Sequence, residues 1–308
     1  MQRFIFIRML YAVLVLFVVS IIVFALARLS GDPALVFLPF DATEEDIELF
    51  RKSWGLDKSL PIQYLTFVGR ALQGDFGDSV KWAGETAMGM VIQRFPATIQ
   101  LAGIAMVISI LIAVPIGVLS AVKKDSIFDY VGKLIALAGQ SLPGFWLGIV
   151  LIFIFAVMLD WFPTSGKGGG KNLILPAITL GWFQVAAMMR LVRSAMLEVL
   201  DSEYVKLARI KGLREWRVIW KHALRNAAIP PLTFFGIVAG QLMTGAVITE
   251  SVFTWPGTGL LAIDAIRARD YPVVQAVIIV FAGIYILSNL TVDILYAYLD
   301  PRIRYGGA

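Results

Sequence analysis

The stretch Asp201–Pro231, DSEYVKLARIKGLREWRVIWKHALRNAAIPP, is the longest polar interruption in the second half of an otherwise lipid-like chain. Between Asp201 and Arg225 it carries seven bases (Lys206, Arg209, Lys211, Arg214, Arg217, Lys221 and Arg225) against three acids (Asp201, Glu203 and Glu215), with apolar segments on both sides. Short loops rich in Lys and Arg stay on the cytosolic side of a membrane, so this one is expected to face the cytosol.

Its fine structure predicts two short helices. Asp201 or Ser202 can cap the first, and Glu203 stands where the positive helix end favours an anion. Lys206, Arg209 and Lys211 load the far end before Gly212 stops it. In the second, Trp216, Ile219, Trp220, Ala223 and Leu224 recur at the spacing of one helix face, with Glu215, Arg217, Lys221, His222 and Arg225 opposite. That pattern predicts a helix lying in the membrane surface with its tryptophans down. Pro230 and Pro231 lack amide hydrogens, a loss tolerated in the first turn of a helix, so they are expected to open the next span.

Composition points the same way. Of 308 residues, 58% are hydrophobic and only 16% charged, with a mean hydropathy of +0.79. Soluble domains carry about 25% charged residues, so this is the balance of a membrane protein. The absence of cysteine excludes disulfides and thiolate metal sites, and the single histidine, His222, cannot build a zinc site alone. The net charge of +5 would suit a nucleic acid, but the bases cluster at membrane edges. No nucleic-acid partner, cofactor, metal or catalytic residue is expected.

Along the chain, Arg3 and Arg8 precede an apolar run from Met9 to Ala27. Ala25-Leu26-Ala27 fits a signal-peptidase pattern, but the run is longer than a signal core and long enough to span, so residues 1–28 are expected to be an uncleaved first helix, amino end inside. Residues 29–96 are the most soluble-looking part and are expected to form a small external helical subdomain. Within it one helix starts at Thr43 and ends at Gly55, another runs from Pro61 to Leu72 before Gly74, and a third short one places Met88, Val91, Ile92 and Phe95 on one face. Residues 97–308 then hold spans at about 97–122, 131–158, 173–195, 229–252 and 273–297, with the polar loop at 198–228. The expectation is an all-α integral membrane protein of six transmembrane helices, both termini cytosolic. The short connectors agree: Lys123, Lys124, Lys133, the basic loop, Arg302 and Arg304 fall inside, against Lys167, Lys171, Arg267 and Arg269 outside. No internal repeat is evident, which counts against a carrier built from two inverted halves.

EY(V)xxARxKGL followed by HALRNAxxP resembles the EAA loop of permease subunits in ATP-binding-cassette importers, specifically the dipeptide, oligopeptide and nickel group. The matching positions are Glu203, Tyr204, Ala208, Arg209, Lys211, Gly212 and Leu213, then His222 to Ala227 and Pro230. Where the general motif has Glu-Ala-Ala this chain has Lys206, Leu207 and Ala208, and the gap from Gly212 to Pro230 is longer, as suits the peptide branch. GDP at 31–33, GDFGDS at 74–79, RFPAT at 94–98, SLPGFWLG at 141–148, ILPAITLG at 174–181, ESVFTWPGTG at 250–259, RDYPVVQ at 269–275 and DPRIR at 300–304 are similar to the same group and fall in its order. The resemblance implies half of the membrane pore of a bacterial inner-membrane importer. Its partners would be a second homologous permease as a heterodimer, two cytosolic ATP-binding subunits and an external solute-binding protein. It also implies that the first loop helix docks in a groove of an ATPase, with Ala208 small because it enters that groove. Peptides lead as substrate, with glutathione, nickel chelates and oligosaccharides behind, and an ion-coupled carrier is the rival class.

Other motifs carry less. SGKGGGKN at 165–172 lacks the first glycine and the final Ser or Thr of a nucleotide-binding loop, so ATP hydrolysis is expected on another chain. Ser141, before Leu142-Pro143, is expected to support backbone freed by a helix break rather than act as a nucleophile. Gly236, Gly240 and Gly245 permit close helix approach, and Gly240, Gln241 and Thr244 are candidates to border a pore. Glu250 and Asp293 are expected to sit at helix ends or pair with bases. Met188 and Met189 read as core fillers.

Overall fold

The computed structural model describes residues 2–29, 34, 38 and 42–299 and, for 2–5, 237, 243–245 and 292–299, the backbone alone. GDP at 31–33, DPRIR at 300–304 and the side chains of Thr244 and Asp293 lie outside the described residues.

Among the described residues the regular structure is helical, with one isolated antiparallel bridge between Asp78 and Thr86. Four helices are long and apolar enough to cross a membrane: α1 (Gln2–Leu29), α4 (Ala87–Val122), α7 (Lys171–Leu200) and α13 (Tyr271–Leu299). The expected span at 131–158 is instead a pair, α5 (Ile127–Ser141) and α6 (Gly144–Leu151), the latter continuing as a π-helix over Ile152–Met158, bent by 109° at the break. The cause is local: Pro143 forces Leu142 out of the helical region, to ψ 126°. Ser141 does not repair the break, because its side chain is exposed and makes no hydrogen bond among the described residues. The span expected at 229–252 is the shorter α10 (Ile229–Gly245), opened by Pro230 and Pro231, followed by a separate turn of helix, α11 (Val247–Val252). α12 (Thr258–Arg267) then leads into α13.

The core forms where small residues let backbones touch. A Cβ on Gly117 of α4 would stand 2.8 Å from the Met189 carbonyl of α7, and one on Gly139 of α5 would stand 2.4 Å from the Ala186 Cβ. In lipid, such contact replaces the hydrophobic effect as the source of association between helices. Met188 and Met189 fill the same cluster, as their type predicts. Gly240 is used likewise, its Cα facing Ser288 of α13 at a distance that would put a Cβ 2.7 Å from the serine Cβ. It packs helix on helix, and the neighbouring Gln241 is exposed.

The 29–96 region contains α2 (Glu44–Ser53), capped reciprocally by Thr43 and Asp46 and closed at Gly55 (φ 65°), and α3 (Leu60–Ala71), with Gly74 beyond it at φ 77°. The third short helix does not exist as a unit: Met88, Val91, Ile92 and Phe95 belong to α4, which runs unbroken through Pro96. At 36 residues α4 is about 54 Å long against a hydrocarbon thickness of about 30 Å, so the helix runs on well beyond the span. Nor is α3 remote from the membrane. Tyr64 hydrogen-bonds Ser20 of α1 at 2.7 Å, and its ring meets Phe17 and Phe24 edge-on, so α3 lies along the C-terminal half of a spanning helix.

Candidate functional site

The polar loop folds as expected in outline and differently in detail. α7 ends at Leu200, and after Asp201 and Ser202 the chain re-enters a helix, α8 (Glu203–Ile210). Ser202 occupies the N-cap, but its hydroxyl donates to the Val199 carbonyl instead of accepting from the first turn. That bond ties α8 to the end of α7. At the other end Gly212 adopts φ 74°, its amide donating to Arg209 O at 2.9 Å and the Leu213 amide to Ala208 O at 3.3 Å. These are the two bonds of a glycine-terminated helix stop, and they require the left-handed backbone that Gly alone adopts without strain.

α8 has two faces. Val205 and Ala208 are buried in the chain's largest core cluster with Met189, Met196 and Val218, so Ala208 is small because it packs against its own chain. The opposite face exposes Glu203, Tyr204, Lys206, Leu207, Ile210 and Lys211, with Ile210 80% accessible. Two ion pairs border it: Lys206 with Glu203 at 2.9 Å, and Arg209 with Glu215 at 2.7 Å. The hydrogen bond to Glu203 raises the Lys206 ammonium pKa above the usual lysine value, and the bond to Glu215 does the same for Arg209.

The second loop helix, α9, is composite: Glu215–Arg217, a π-helical Val218–Ala223, then Leu224–Ala227. The wider π turn shifts the buried set to Val218, Ile219, Ala223 and Ala227. Trp216, on the face expected to lie toward the membrane, is 69% exposed and takes no part in that buried set. The buried face of α9 packs on the core of the chain itself, beside α7 and α8.

Next to this loop, sequence reasoning missed an ionic joint. Asp129 of α5, with no exposed surface, accepts from Arg193 of α7 at 2.7 and 2.9 Å, from Ser120 of α4 at 2.6 Å, and from Lys133 at 2.9 Å. Asp129 falls in the short connector before the expected 131–158 span, and its i,i+4 spacing to Lys133 was the one signal that could have found part of the joint.

At the other end of the molecule the motifs meet in pairs. Glu250, fully buried, accepts from the Thr98 hydroxyl at 2.8 Å and the Leu260 amide at 3.0 Å, while Trp255 donates to Ala97 O at 2.9 Å. ESVFTWPGTG thereby folds around its own glutamate and onto RFPAT. Glu250 stands in the first turn of α11, one of the two placements expected of it, and its partners among the described residues are hydroxyl and amide groups. Asp270 in RDYPVVQ likewise holds GDFGDS, accepting from Ser79 Oγ and the amides of Val80 and Lys81. The glycine-rich turn at 165–172 is a surface loop closed by Asn172, whose Nδ2 donates to the Ser165 and Gly166 carbonyls.

Among the described residues no cluster of side chains could hold a metal ion. The polar loop offers a short helix with an exposed mixed face, fastened at both ends and backed by the main core.

A family described as binding-protein-dependent transport system inner membrane component matches residues 113–305, and the N-terminal component of the same description matches residues 1–102. The chain is 37% identical over 316 residues to the oligopeptide transport system permease protein AppB of Bacillus subtilis (strain 168), covering 99% of this chain and 100% of that one. It is 42% identical over 320 residues to the di/tripeptide transport system permease protein DppB of Pseudomonas aeruginosa (strain UCBPP-PA14), covering 94% and 95%. It is 40% identical over 299 residues to the glutathione transport system permease protein GsiC of Escherichia coli (strain K12), covering 97% of each. Among solved structures, an inward-facing MetNI methionine ABC transporter matches with a TM-score of 0.56 at 17% identity, over 69% of this chain and 97% of that chain. That likeness concerns the fold.

Proposed function

Because the chain belongs to the family of binding-protein-dependent transport system inner-membrane components, we propose that it forms half of the translocation pore of an ATP-driven importer of di- and oligopeptides. A second homologous permease completes the pore, two cytosolic ATP-binding subunits supply the work, and an external solute-binding protein delivers the peptide. The loop 198–228 lies on the cytosolic side of the bacterial inner membrane, as do both termini. The observation that carries this reading is the end-to-end similarity to oligopeptide and di/tripeptide permeases.

α8 is the coupling helix. Glu203, Tyr204, Lys211 and the apolar Leu207 and Ile210 form the face that an ATPase groove receives, and exposed apolar side chains on so short a helix suit a docking contact. Ala208, Gly212 and Leu213 act from behind that face: Ala208 seats the helix on the core, and Gly212 and Leu213 end it. Arg209 holds Glu215, so the two loop helices move together. Closure of the ATPases then pushes α8 as a rigid body, and the buried contacts of Val205 and Ala208 pass the displacement to α7. Driving a pore from 1:99 to 99:1 between two states takes about 5.5 kcal/mol of bias, which a floppy loop could not transmit.

Glutathione is the second reading of the substrate, favoured by the 40% identity to a glutathione permease. Uptake of labelled dipeptide, tripeptide and glutathione into cells lacking the gene separates them. Uptake that collapses on ATP depletion and survives loss of the ion gradient is expected; the reverse would establish an ion-coupled carrier and end this reading.

A further inference from the structure

Two cavities meet where α1 ends and α13 begins. The first, of about 430 Å³, is polar and cation-rich: Lys52 and Lys58 from the α2–α3 region line it with Arg28, Gln63 and Tyr271. The second, of about 330 Å³, is an apolar slot between α1 and α13, walled by Val23, Leu26, Val274 and Ile278, with Arg269 at its edge. Ala27, Tyr271 and Gln275 line both, so the two adjoin.

Their level in the membrane follows from the helices. The segments long and apolar enough to cross, Phe6–Leu29 and Tyr271–Thr291, finish and start at this end. The slot residues lie within about two turns of those ends, inside the hydrocarbon, and the polar chamber lies beyond them at headgroup height.

The charges are unevenly spent. Arg70 in the chamber is neutralised by Asp75 at 2.8 Å, and Arg28 lies over the Phe24 ring. Lys52, Lys58 and Arg269 have no ion-pair partner among the described residues, and Asp78 is the one remaining acid on the chamber wall. Gln63 donates through Nε2 to the Leu56 and Lys58 carbonyls, which fixes the loop that carries Lys58. The site thus presents cations above an apolar slot.

We propose that this seam binds one anionic phospholipid, its phosphate against Lys52 and Lys58 and an acyl chain in the slot between α1 and α13. Arg269 at the slot edge adds to the phosphate field. A neutral headgroup gains nothing from these cations. The bound lipid mortars α1, which among the described residues packs mainly on α13 and α3, to the rest of the chain. Lipid capture here needs neither the ATPases nor the transported solute, so it stands or falls apart from the transport reading.

The test is native mass spectrometry of the protein with its co-purifying subunits in mild detergent, titrated with dioleoyl phosphatidylglycerol or dioleoyl phosphatidylcholine. Phosphatidylglycerol should be retained in preference, and the exposed double variant Lys52→Gln/Lys58→Gln should weaken its binding by about tenfold or more, each basic side chain being worth a few-fold or better at a membrane surface. Ile278→Trp, which fills the slot, should weaken it too without lowering the unfolding temperature. Glycerol 3-phosphate at millimolar concentration should not displace the lipid. Equal retention of the two lipids, indifference to the lysine variants, or displacement by glycerol 3-phosphate alone, which would mark a small-anion site, would each overturn the proposal.

Discussion

Arg193 and Asp129 form a two-pronged ion pair, Nε to Oδ1 at 2.7 Å and Nη2 to Oδ2 at 2.9 Å, between the part of α7 that leads into the polar loop at 201–228 and the start of α5. Asp129 has no exposed surface and Arg193 is 22% exposed, so the pair is held largely out of water. Removing one member strands the other charge. Asp129→Ala is expected to destabilise the protein by about 3 kcal/mol, with Asp129→Asn less harmful because it keeps two hydrogen bonds. Thermal unfolding in detergent measures this, and an unchanged midpoint for the alanine variant would show the joint to be dispensable.

The stop at Gly212 can be separated from packing, because a Cβ there would meet nothing within 4 Å. Only the positive φ resists substitution. Gly212→Val should cost the helix end about 1–2 kcal/mol, and Gly212→Asn distinctly less. With the partner subunits reconstituted, the valine variant should insert normally yet lose stimulation of ATP hydrolysis by loaded binding protein. Full stimulation in that variant would remove the rigid helix end from the mechanism.

The two faces of α8 predict opposite phenotypes. Ala208→Glu forces a carboxylate into the core beside Met189 and Val218 and should lower stability and yield. Ile210→Glu changes a residue that is 80% exposed and should leave stability within about 0.5 kcal/mol while abolishing co-purification of the ATPases. Retention of the ATPases by the Ile210 variant would place their docking surface elsewhere.

Thr98 holds two buried groups at once, donating to Glu250 Oε1 and accepting from the Thr258 amide at 2.9 Å. Thr98→Val keeps the shape and orphans both, and is expected to cost about 2 kcal/mol. Thr98→Ser should retain most of the stability. Equal unfolding temperatures for the valine and serine variants would mean that the hydroxyl does not fasten the 250–259 loop.

The cap of α2 sets a pH limit. Hydrogen bonds from the Thr43 hydroxyl and amide hold the Asp46 carboxyl below its ordinary value of 3.8. A lowered folded-state pKa contributes stability that is complete above the unfolded value and lost as the pH falls through the folded one. The protection factors of residues 44–53 should therefore fall as the pH drops below about 3.8 in the native chain, and should be lower and less pH-dependent in Thr43→Ala, which keeps only the amide donor. Parallel profiles in the two proteins would exclude the cap.

The order of the chain along the membrane was written in its apolar runs, and so were the α2 cap at Thr43 and Asp46 and the stop at Gly212. Each depends on residues a few positions apart, and propensity and periodicity read at that range. What the sequence could not reveal depends on residues far apart in number. Ala208 reads as a small residue presented to a partner until α8 is folded back on α7 and its own core claims it. The buried set of α9, Val218, Ile219, Ala223 and Ala227, follows a π turn that packing on the core selects and a 3.6-residue period cannot show. Asp129 finds Arg193 64 positions away, and Asp270 finds Ser79 191 positions away. A buried carboxylate in an apolar helix announces that some donor must exist, since leaving it unmet costs too much, but only the packed helices decide which one answers.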